Sequence, residues 1–132
     1  PQTMQQAPHY EDVTREVRDF LAARAAAACA AGLPRERVIV DPGIGFGKTR
    51  AHNLGLLRDL RTIVALGHPV LLGTSRKRFM GAICRETDAH ELVGATCATT
   101  ALGVAAGVRI VRVHDVRPNR QALEVAWALQ TE

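Results

Sequence analysis

Hydrophobic and polar positions follow helical and strand periods in turn along the chain. Apolar residues recur at helical spacing over residues 11–31 and 53–66, and again near the C terminus at Ala122, Val125 and Leu129. Short apolar runs rich in β-branched residues lie between the helical segments and are typical of buried strands. The pattern predicts helices that alternate with strands from one end of the chain to the other.

Three strands are predicted, at residues 37–41, 69–73 and 108–113. A helix at residues 91–107 precedes the last strand, and small apolar residues cover all its sides, which predicts burial on more than one side. Each connection between strands is long enough for a parallel crossover. The sequence therefore predicts an α/β fold, with three parallel strands and intervening helices that cover both faces of the sheet.

The length of the chain limits how much of such a fold it can form. It has 132 residues, whereas a complete (β/α)8 TIM barrel needs about 250. The chain also begins at Pro1 rather than at a methionine. We therefore expect residues 1–132 to be one partial domain, the C-terminal part of a barrel cut off from its beginning.

Composition argues against several classes of function. Aromatic residues make up 4% of the chain and the net charge of +4 is dispersed, so a nucleic-acid partner is not expected. The cysteines Cys29, Cys84 and Cys97 form no C-x-x-C pair, which argues against a disulfide framework or structural zinc and for a reduced, cytoplasmic protein. No apolar run approaches the roughly 18 residues of a membrane helix, so no membrane partner is expected.

Candidate chemistry collects where the predicted strands end, which is where parallel α/β folds place their sites. Asp41 ends the first strand, the polar residues 74–78 follow the second, and Arg112 and His114 end the third. Side chains alternate along a strand, so Arg112 and His114 face the same side, about 7 Å apart. This pair suits an anion with several oxygens, such as a diphosphate. The alternative is that Arg112 pairs with Asp115 and that backbone groups satisfy His114.

The other candidates each allow two interpretations. Asp41 would either cap a helix or, held extended by the following proline, bind the N–H groups of a flat heterocycle. Phe46 lies among glycines, either as an anchor into the core or as a wall against a ring. Ser75 would bind a second anion at a helix N-terminus, and Lys77 would donate to a ring atom. The alternative for both is a solvated loop.

The glycine-rich loop at residues 43–49 matches no nucleotide-binding motif. A P-loop would need its first glycine at Pro42, and a dinucleotide fingerprint would need its last at Lys48. The glycines instead allow the backbone to approach a ligand closely. The remaining histidines lack metal-ligand spacing and are expected at the surface or in helix caps; they are His9, His52, His68 and His90.

Four segments together resemble dihydropteroate synthase. They are PQTMQ with AP at 7–8, DPGIGFGK at 41–48 with HN at 52–53, GTSRKR at 73–78, and RVHD at 112–115. They occur in the order and at the spacing of that family, across the whole chain. The resemblance implies a TIM-barrel transferase of folate biosynthesis. It would condense (7,8-dihydropterin-6-yl)methyl diphosphate with 4-aminobenzoate, giving 7,8-dihydropteroate and diphosphate.

The resemblance also implies roles for residues that bind the two substrates. Asp41 and Lys77 would bind the polar edges of the pterin. Phe46 would pack against the ring of 4-aminobenzoate, and Ser75 would hold its carboxylate. Gly73 belongs to the same substrate-binding segment.

Arg112 and His114 would act as the catalytic residues by gripping the diphosphate as negative charge builds on it. The resemblance implies Mg²⁺ as cofactor, with its ligand upstream of Pro1, so no metal ligand is expected in the chain itself. The small apolar surface on all sides of residues 91–107 predicts a homodimer of the intact protein with this helix near the interface, and the resemblance points the same way. Because the metal site and closing loops of the family lie outside this chain, we expect the chain alone to be inactive.

Two other functions stay open at this point. One is a non-catalytic α/β binding or interaction module of 132 residues. The other is a pterin-binding methyltransferase barrel, against which the Ser-Arg-Lys loop and the Arg-x-His strand end argue.

Overall fold

The computed structural model describes residues 3–4 and 6–131, and within them it contains six α-helices, two 3₁₀ helices and a two-stranded parallel sheet. The helices are α1 (Val13–Ala30), α2 (Arg50–Arg58), α3 (Leu60–Val64), α4 (Arg78–Cys84), α5 (Val93–Ala106) and α6 (Val116–Thr131). The 3₁₀ helices are Arg35–Arg37 and Ala89–Leu92. The strands are β1 (Leu71–Leu72) and β2 (Ile110–Val111), with Leu71 opposite Ile110 and Leu72 opposite Val111. The predicted α/β class is confirmed.

The prediction of three strands is not confirmed. Residues 37–41 contribute a single parallel bridge, between Val40 and Val70, instead of a strand. A 3₁₀ turn at Arg35–Arg37 occupies the start of this segment. Within the described chain, Val40 exchanges backbone hydrogen bonds with one neighbouring segment only, at Pro69 and Leu71.

Several helix boundaries also differ from the predictions. The single helix expected at residues 53–66 is two helices, because Asp59 ends α2 and begins α3. The helix expected at residues 91–107 is α5 with a 3₁₀ turn before it, and α4 was not predicted at all. Pro118 is the third residue of α6. It is tolerated there because the first turn of a helix leaves its N–H groups unpaired.

The first helix follows its sequence signals closely. The Asp12 side chain caps α1 by accepting a hydrogen bond from the Arg15 N–H at 3.0 Å. The Glu16 carboxylate accepts from the N–H groups of Glu11 and Asp12, at 2.9 and 3.0 Å. Gly32 follows the helix with φ of +98°, the left-handed conformation that glycine adopts most easily. The predicted boundaries of 11–31 are therefore confirmed to within two residues.

The core lies between the sheet and the helices that cover it. Side chains from the strands and from α2 and α3 fill it, and the most deeply buried are Ile44, Leu56, Leu60, Ile63, Val70 and Leu72. Helix α5 packs closely on β1, since a Cβ at Gly103 would lie 2.7 Å from a methyl carbon of Leu72. His68 was expected at the surface, but it is buried, and its Nδ1 has no hydrogen-bond partner among the described residues.

The parallel pairing of β1 and β2 places their carboxyl ends side by side. The N–H of Arg112 donates to the Leu72 carbonyl at 3.0 Å, which extends the pairing just beyond both strands. The segments at 73–77 and 112–115 therefore leave the sheet as neighbours. No helix in the described part of the chain is both long and apolar enough to cross a membrane.

Candidate active site

An open cleft of about 420 Å³ lies at the carboxyl ends of β1 and β2. Its lining residues are Phe46, Gly73, Ser75, Arg76, Lys77, Arg112, Val113 and His114. Every substrate-binding residue predicted from the sequence lines this cleft, with the exception of Asp41. The loop after β1, the glycine-rich loop and the end of β2 thus meet at one place.

Arg112 lies against the backbone at Gly73. A Cβ at Gly73 would be 3.1 Å from Nη2 of Arg112, so a glycine at this position leaves room for the guanidinium group. The predicted alternative pairing of Arg112 with Asp115 does not occur, because Asp115 binds Arg76 instead. No described carboxylate forms an ion pair with Arg112. Its charge is available to an anion in the cleft.

Ser75 and His114 are joined by two hydrogen bonds. The His114 backbone N–H donates to Ser75 Oγ at 3.1 Å, and His114 Nδ1 lies 2.9 Å from the same oxygen. Ser75 is buried, whereas His114 is exposed. The serine hydroxyl predicted to bind a carboxylate is therefore engaged by the histidine of the cleft.

Lys77 lies over the ring of Phe46, with Nζ 3.9 Å from the ring centroid, a cation–π contact. Phe46 is 46% exposed, so it forms part of the cleft wall and is not an anchor in the core. Burial lowers the pKa of Lys77, and the positive charge of Arg112 lowers it further, while Asp41 acts in the opposite direction. The cleft thus holds two cations that disfavour each other until an anion enters.

The loop that carries Ser75 and Lys77 is held from both sides. The Arg76 guanidinium donates to both carboxylate oxygens of Asp115, at 3.2 and 2.8 Å. The Arg76 N–H donates to Thr96 Oγ1 at 3.4 Å, and the hydroxyls of Thr74 and Thr99 lie 2.7 Å apart. The Ser-Arg-Lys-Arg stretch is therefore not a solvated loop. Sequence reasoning missed this because the partners lie 20 to 39 residues away.

The buried side chain of Asn53 holds the glycine-rich loop by two hydrogen bonds. Its Oδ1 accepts from the Gly45 N–H at 2.7 Å and its Nδ2 donates to the Thr49 carbonyl at 2.8 Å. It is 2% exposed, and no motif apart from the family resemblance marks it in the sequence. Lys48 donates to two carbonyls of the same loop; burial lowers its pKa, and Asp41 opposes that shift.

Asp41 lies outside the cleft. It is exposed and lines a separate cavity of about 450 Å³ with Tyr10 and Lys48 among its neighbours. Its Oδ1 accepts a hydrogen bond from the Gly43 N–H at 2.8 Å, so it shapes the start of the glycine-rich loop rather than capping a helix. Its charge nevertheless reaches Lys77 across the loop.

A further cavity, of about 480 Å³, adjoins the cleft and is strongly cationic. Its lining residues are Gly45, Lys48, Arg50, Asn53, Arg76, Lys77, Arg78 and Phe79. Arg76 and Lys77 belong to both cavities. The five basic side chains favour an anion here as well.

A metal site is not formed by the residues that the structure describes. They contain no group of three or more histidine, cysteine, aspartate or glutamate side chains that is suited to hold a metal ion. Mg²⁺ stays a prediction from the resemblance.

The comparison with known proteins agrees with this geometry. The family profile described as "Pterin binding enzyme" matches residues 1–114. The chain belongs to the pterin binding enzyme family. That membership is consistent with a site at the carboxyl ends of parallel strands.

Individual members of the pterin binding enzyme family are closely similar to this chain. A dihydropteroate synthase from Neisseria meningitidis serogroup C is 45% identical over 128 residues, which are 96% of this chain and 45% of that protein. The structure of dihydropteroate synthase from Thermus thermophilus in complex with 4-aminobenzoate is 50% identical, with a TM-score of 0.93. The structure of the same enzyme in complex with 6HMPPP has a TM-score of 0.92.

The match extends over nearly all of this chain but only part of each relative. The two Thermus structures are matched over 98% of this chain and over 52% and 51% of their own chains. The chain thus spans about half the length of the relatives that it matches. Its α/β fold matches these TIM-barrel structures over that half.

Proposed function

We propose that this chain forms the C-terminal part of a dihydropteroate synthase. The observation that carries the proposal is the cleft in which Arg112, His114 and Lys77 meet beside the exposed ring of Phe46. Cationic donors beside an aromatic wall suit a substrate that carries a diphosphate and a partner that carries a flat ring. The similarity to dihydropteroate synthases, over nearly the whole chain, supports this function rather than methyl transfer.

The chemistry proposed for the cleft is stabilisation of a departing diphosphate. The bond between the pterin methylene carbon and the diphosphate oxygen breaks, and the bonding electrons leave with the oxygen. The Arg112 guanidinium offers two parallel N–H donors to that growing charge. His114 adds a ring donor beside it, and Lys77 adds a further positive charge. The amino nitrogen of 4-aminobenzoate then bonds to the methylene carbon and loses a proton.

The remaining predicted residues have supporting roles in this proposal. Lys77 and Asp41 would bind the pterin together. Their charges interact across the glycine-rich loop. Phe46 would pack on the aminobenzoate ring. The sequence predicted that Ser75 binds the carboxylate of 4-aminobenzoate. Arg50 and Arg78, in the adjoining cationic cavity, are further candidates to bind that carboxylate.

The cofactor follows from the resemblance, and the compartment follows from the cysteines. We propose that Mg²⁺ is held by residues outside this chain. All three cysteines are free thiols, and this supports a reducing compartment, which we propose is the cytoplasm.

Synthesis of 7,8-dihydropteroate by the complete polypeptide that contains this chain tests the proposed function. The purified protein, supplied with Mg²⁺, 4-aminobenzoate and the dihydropterin diphosphate, should form 7,8-dihydropteroate and release diphosphate. The chain 1–132 alone should form none, because it lacks about half of the length of its relatives. A complete polypeptide that folds but forms no product would overturn the proposal.

We also propose that the complete protein is a homodimer with α5 at the interface. A groove of about 650 Å³, lined mainly by apolar side chains, runs between α5 and helices α2 to α4. Leu102 of α5 lines it and is 69% exposed. Burying this groove against a second copy would remove the apolar surface from water.

Light scattering at micromolar concentration tests the dimer. Leu102→Glu should shift the protein towards the monomer. Leu129→Glu is the matched control, since Leu129 is 83% exposed and lies on α6, away from the groove. A monomeric wild-type protein would contradict the proposal.

A further inference from the structure

Ser75 is in a position to control which nitrogen of His114 carries the ring proton. Both the backbone N–H and the ring Nδ1 of His114 contact Ser75 Oγ, at 3.1 and 2.9 Å. Two contacts from one oxygen fix both the backbone and the ring of the histidine. Ser75 itself is 5% exposed, so water does not compete freely for its hydroxyl.

The number of hydrogen atoms decides the direction of the second bond. A backbone N–H can only donate, so Ser75 Oγ accepts from His114 N. The serine still has one hydrogen to donate, and the only other contact of Oγ among the described residues is His114 Nδ1. If Nδ1 also carried a hydrogen, the serine hydrogen would be buried without an acceptor, which costs free energy. The arrangement of lower free energy is the one in which the serine hydroxyl donates to an unprotonated Nδ1.

A neutral imidazole that accepts at Nδ1 carries its hydrogen on Nε2. Nε2 is then the ring atom left to donate to a ligand, and His114 lines the cleft beside Arg112. The other charged groups around this ring are Lys77, Arg76 and Asp115, and the last two neutralise each other in an ion pair.

We propose that Ser75 is a positioning residue, whose hydroxyl holds His114 with its hydrogen on Nε2 and aims that N–H at an anion in the cleft. The anion is a diphosphate if the proposed function holds, and in that respect this inference rests on it. Ser75 then acts on the leaving group through His114, whereas the sequence predicted that it binds the carboxylate of the other substrate.

The position of the ring hydrogen can be measured directly. The complete protein, labelled with ¹⁵N in its histidine rings, would be studied by long-range ¹H–¹⁵N NMR at a pH where His114 is neutral. We expect the wild-type signal of His114 to show hydrogen on Nε2, and Ser75→Ala to show a mixture of the two tautomers. Thr74→Val is the matched control, because it removes a neighbouring buried hydroxyl that bonds to Thr99 instead. Hydrogen on Nδ1 in the wild type, or an unchanged signal in Ser75→Ala, would overturn the proposal.

A double-mutant cycle separates positioning from carboxylate binding. Binding of inorganic diphosphate, measured by calorimetry, should weaken about tenfold in Ser75→Ala, the equivalent of one ordinary hydrogen bond. In a His114→Gln background, where the amide supplies a donor without a ring tautomer, the same serine change should weaken binding less than about twofold. An equal loss in both backgrounds would overturn the proposal, and so would a wild-type protein that does not bind diphosphate.

The kinetic readout distinguishes this inference from the proposed function. Ser75→Ala should lower kcat and leave KM for 4-aminobenzoate unchanged, whereas a carboxylate ligand would raise that KM. The protein could form no 7,8-dihydropteroate and still show the tautomer change in Ser75→Ala and the expected coupling between Ser75 and His114 in diphosphate binding. That result would refute the proposed function and support the role of Ser75.

Discussion

Arg76 and Asp115 form a two-pronged ion pair that joins the loop after β1 to the segment after β2, with N–O distances of 3.2 and 2.8 Å. Ser75 and Lys77 flank the arginine in sequence, and His114 precedes the aspartate. The ion pair therefore sets the spacing between residues that line the cleft from two different strand ends. Arg76 adopts φ of +58°, a left-handed conformation that is unusual for a residue with a side chain, and the ion pair helps to hold it there.

Asp115→Asn should remove stability that depends on pH. The hydrogen bonds from Arg76 are the main cause that lowers the pKa of Asp115 in the folded protein. A carboxyl group with a lowered pKa contributes stability above its ordinary pKa of 3.8, and that contribution is lost as the pH falls through the folded value. The difference in melting temperature between wild type and variant should be largest near neutral pH and shrink below about pH 4.

The control for this prediction is Asp19→Asn. Asp19 pairs with Arg18 at 2.6 Å, but both side chains are far more exposed than those of Arg76 and Asp115. Exposed pairs contribute little, so this change should alter the melting temperature only slightly. A difference for Asp115→Asn that stays constant from neutral to acidic pH would show that the carboxylate charge is not what stabilises the loop.

Arg112→Ala in the complete enzyme should lower kcat more than it weakens binding of 4-aminobenzoate. In the proposed mechanism this contact strengthens as charge develops on the diphosphate, so its removal should cost on the order of 3 kcal/mol, about a hundredfold in rate. Arg112→Lys should recover only part of this, because an ammonium group lacks the planar fork. Steady-state kinetics and thermal melts on the same variants provide the check. An Arg112→Ala enzyme that is destabilised but fully active would exclude this residue from the site.

Binding of diphosphate at alkaline pH should be accompanied by uptake of a proton at Lys77. Burial and Arg112 lower the pKa of this lysine below 10.5, so part of it is neutral between its folded pKa and 10.5. An anion in the cleft favours the charged form and draws a proton from solution. In the same window, the stability of the free protein should rise with pH, because the folded state disfavours the charged lysine.

Calorimetry in buffers of different ionisation enthalpy measures this proton uptake. Lys77→Met should abolish it. Lys48→Met should retain it, because Lys48 donates to carbonyls of the glycine-rich loop and does not line the cleft. Equal uptake by wild type and Lys77→Met would assign the proton to another group.

Asn53→Ala should destabilise the protein by about 1–3 kcal/mol and disorder the glycine-rich loop. The change leaves the Gly45 N–H and the Thr49 carbonyl without the side chain that now pairs with them. Asn53→Asp should also destabilise, since it keeps the acceptor for Gly45 but turns a second oxygen towards the Thr49 carbonyl. Denaturant unfolding measures both. Gln130→Ala, which removes an exposed amide contact on α6, should change stability by less than about 0.5 kcal/mol.

Local sequence signals predicted the order of the main elements and most of the residues that line the cleft. Helix α1 begins after its cap residue Asp12 and ends before Gly32, because capping and glycine signals act over a few residues of backbone. Arg112 and His114, which the sequence placed at the end of a strand, follow β2 and both line the cleft. The four motifs identified the family, since each is a contiguous stretch whose residues need no knowledge of the fold.

Contacts between distant residues were decided only by the tertiary structure. The sequence suggested the nearby Arg112 as a partner for Asp115, whereas the folded chain pairs Asp115 with Arg76, 39 residues away, and leaves Arg112 for a ligand. The hydroxyl of Ser75 is likewise committed to His114 rather than to solvent. Periodicity and capping report on forces between near neighbours, whereas the partner of a polar side chain depends on which strand ends the packed core brings together.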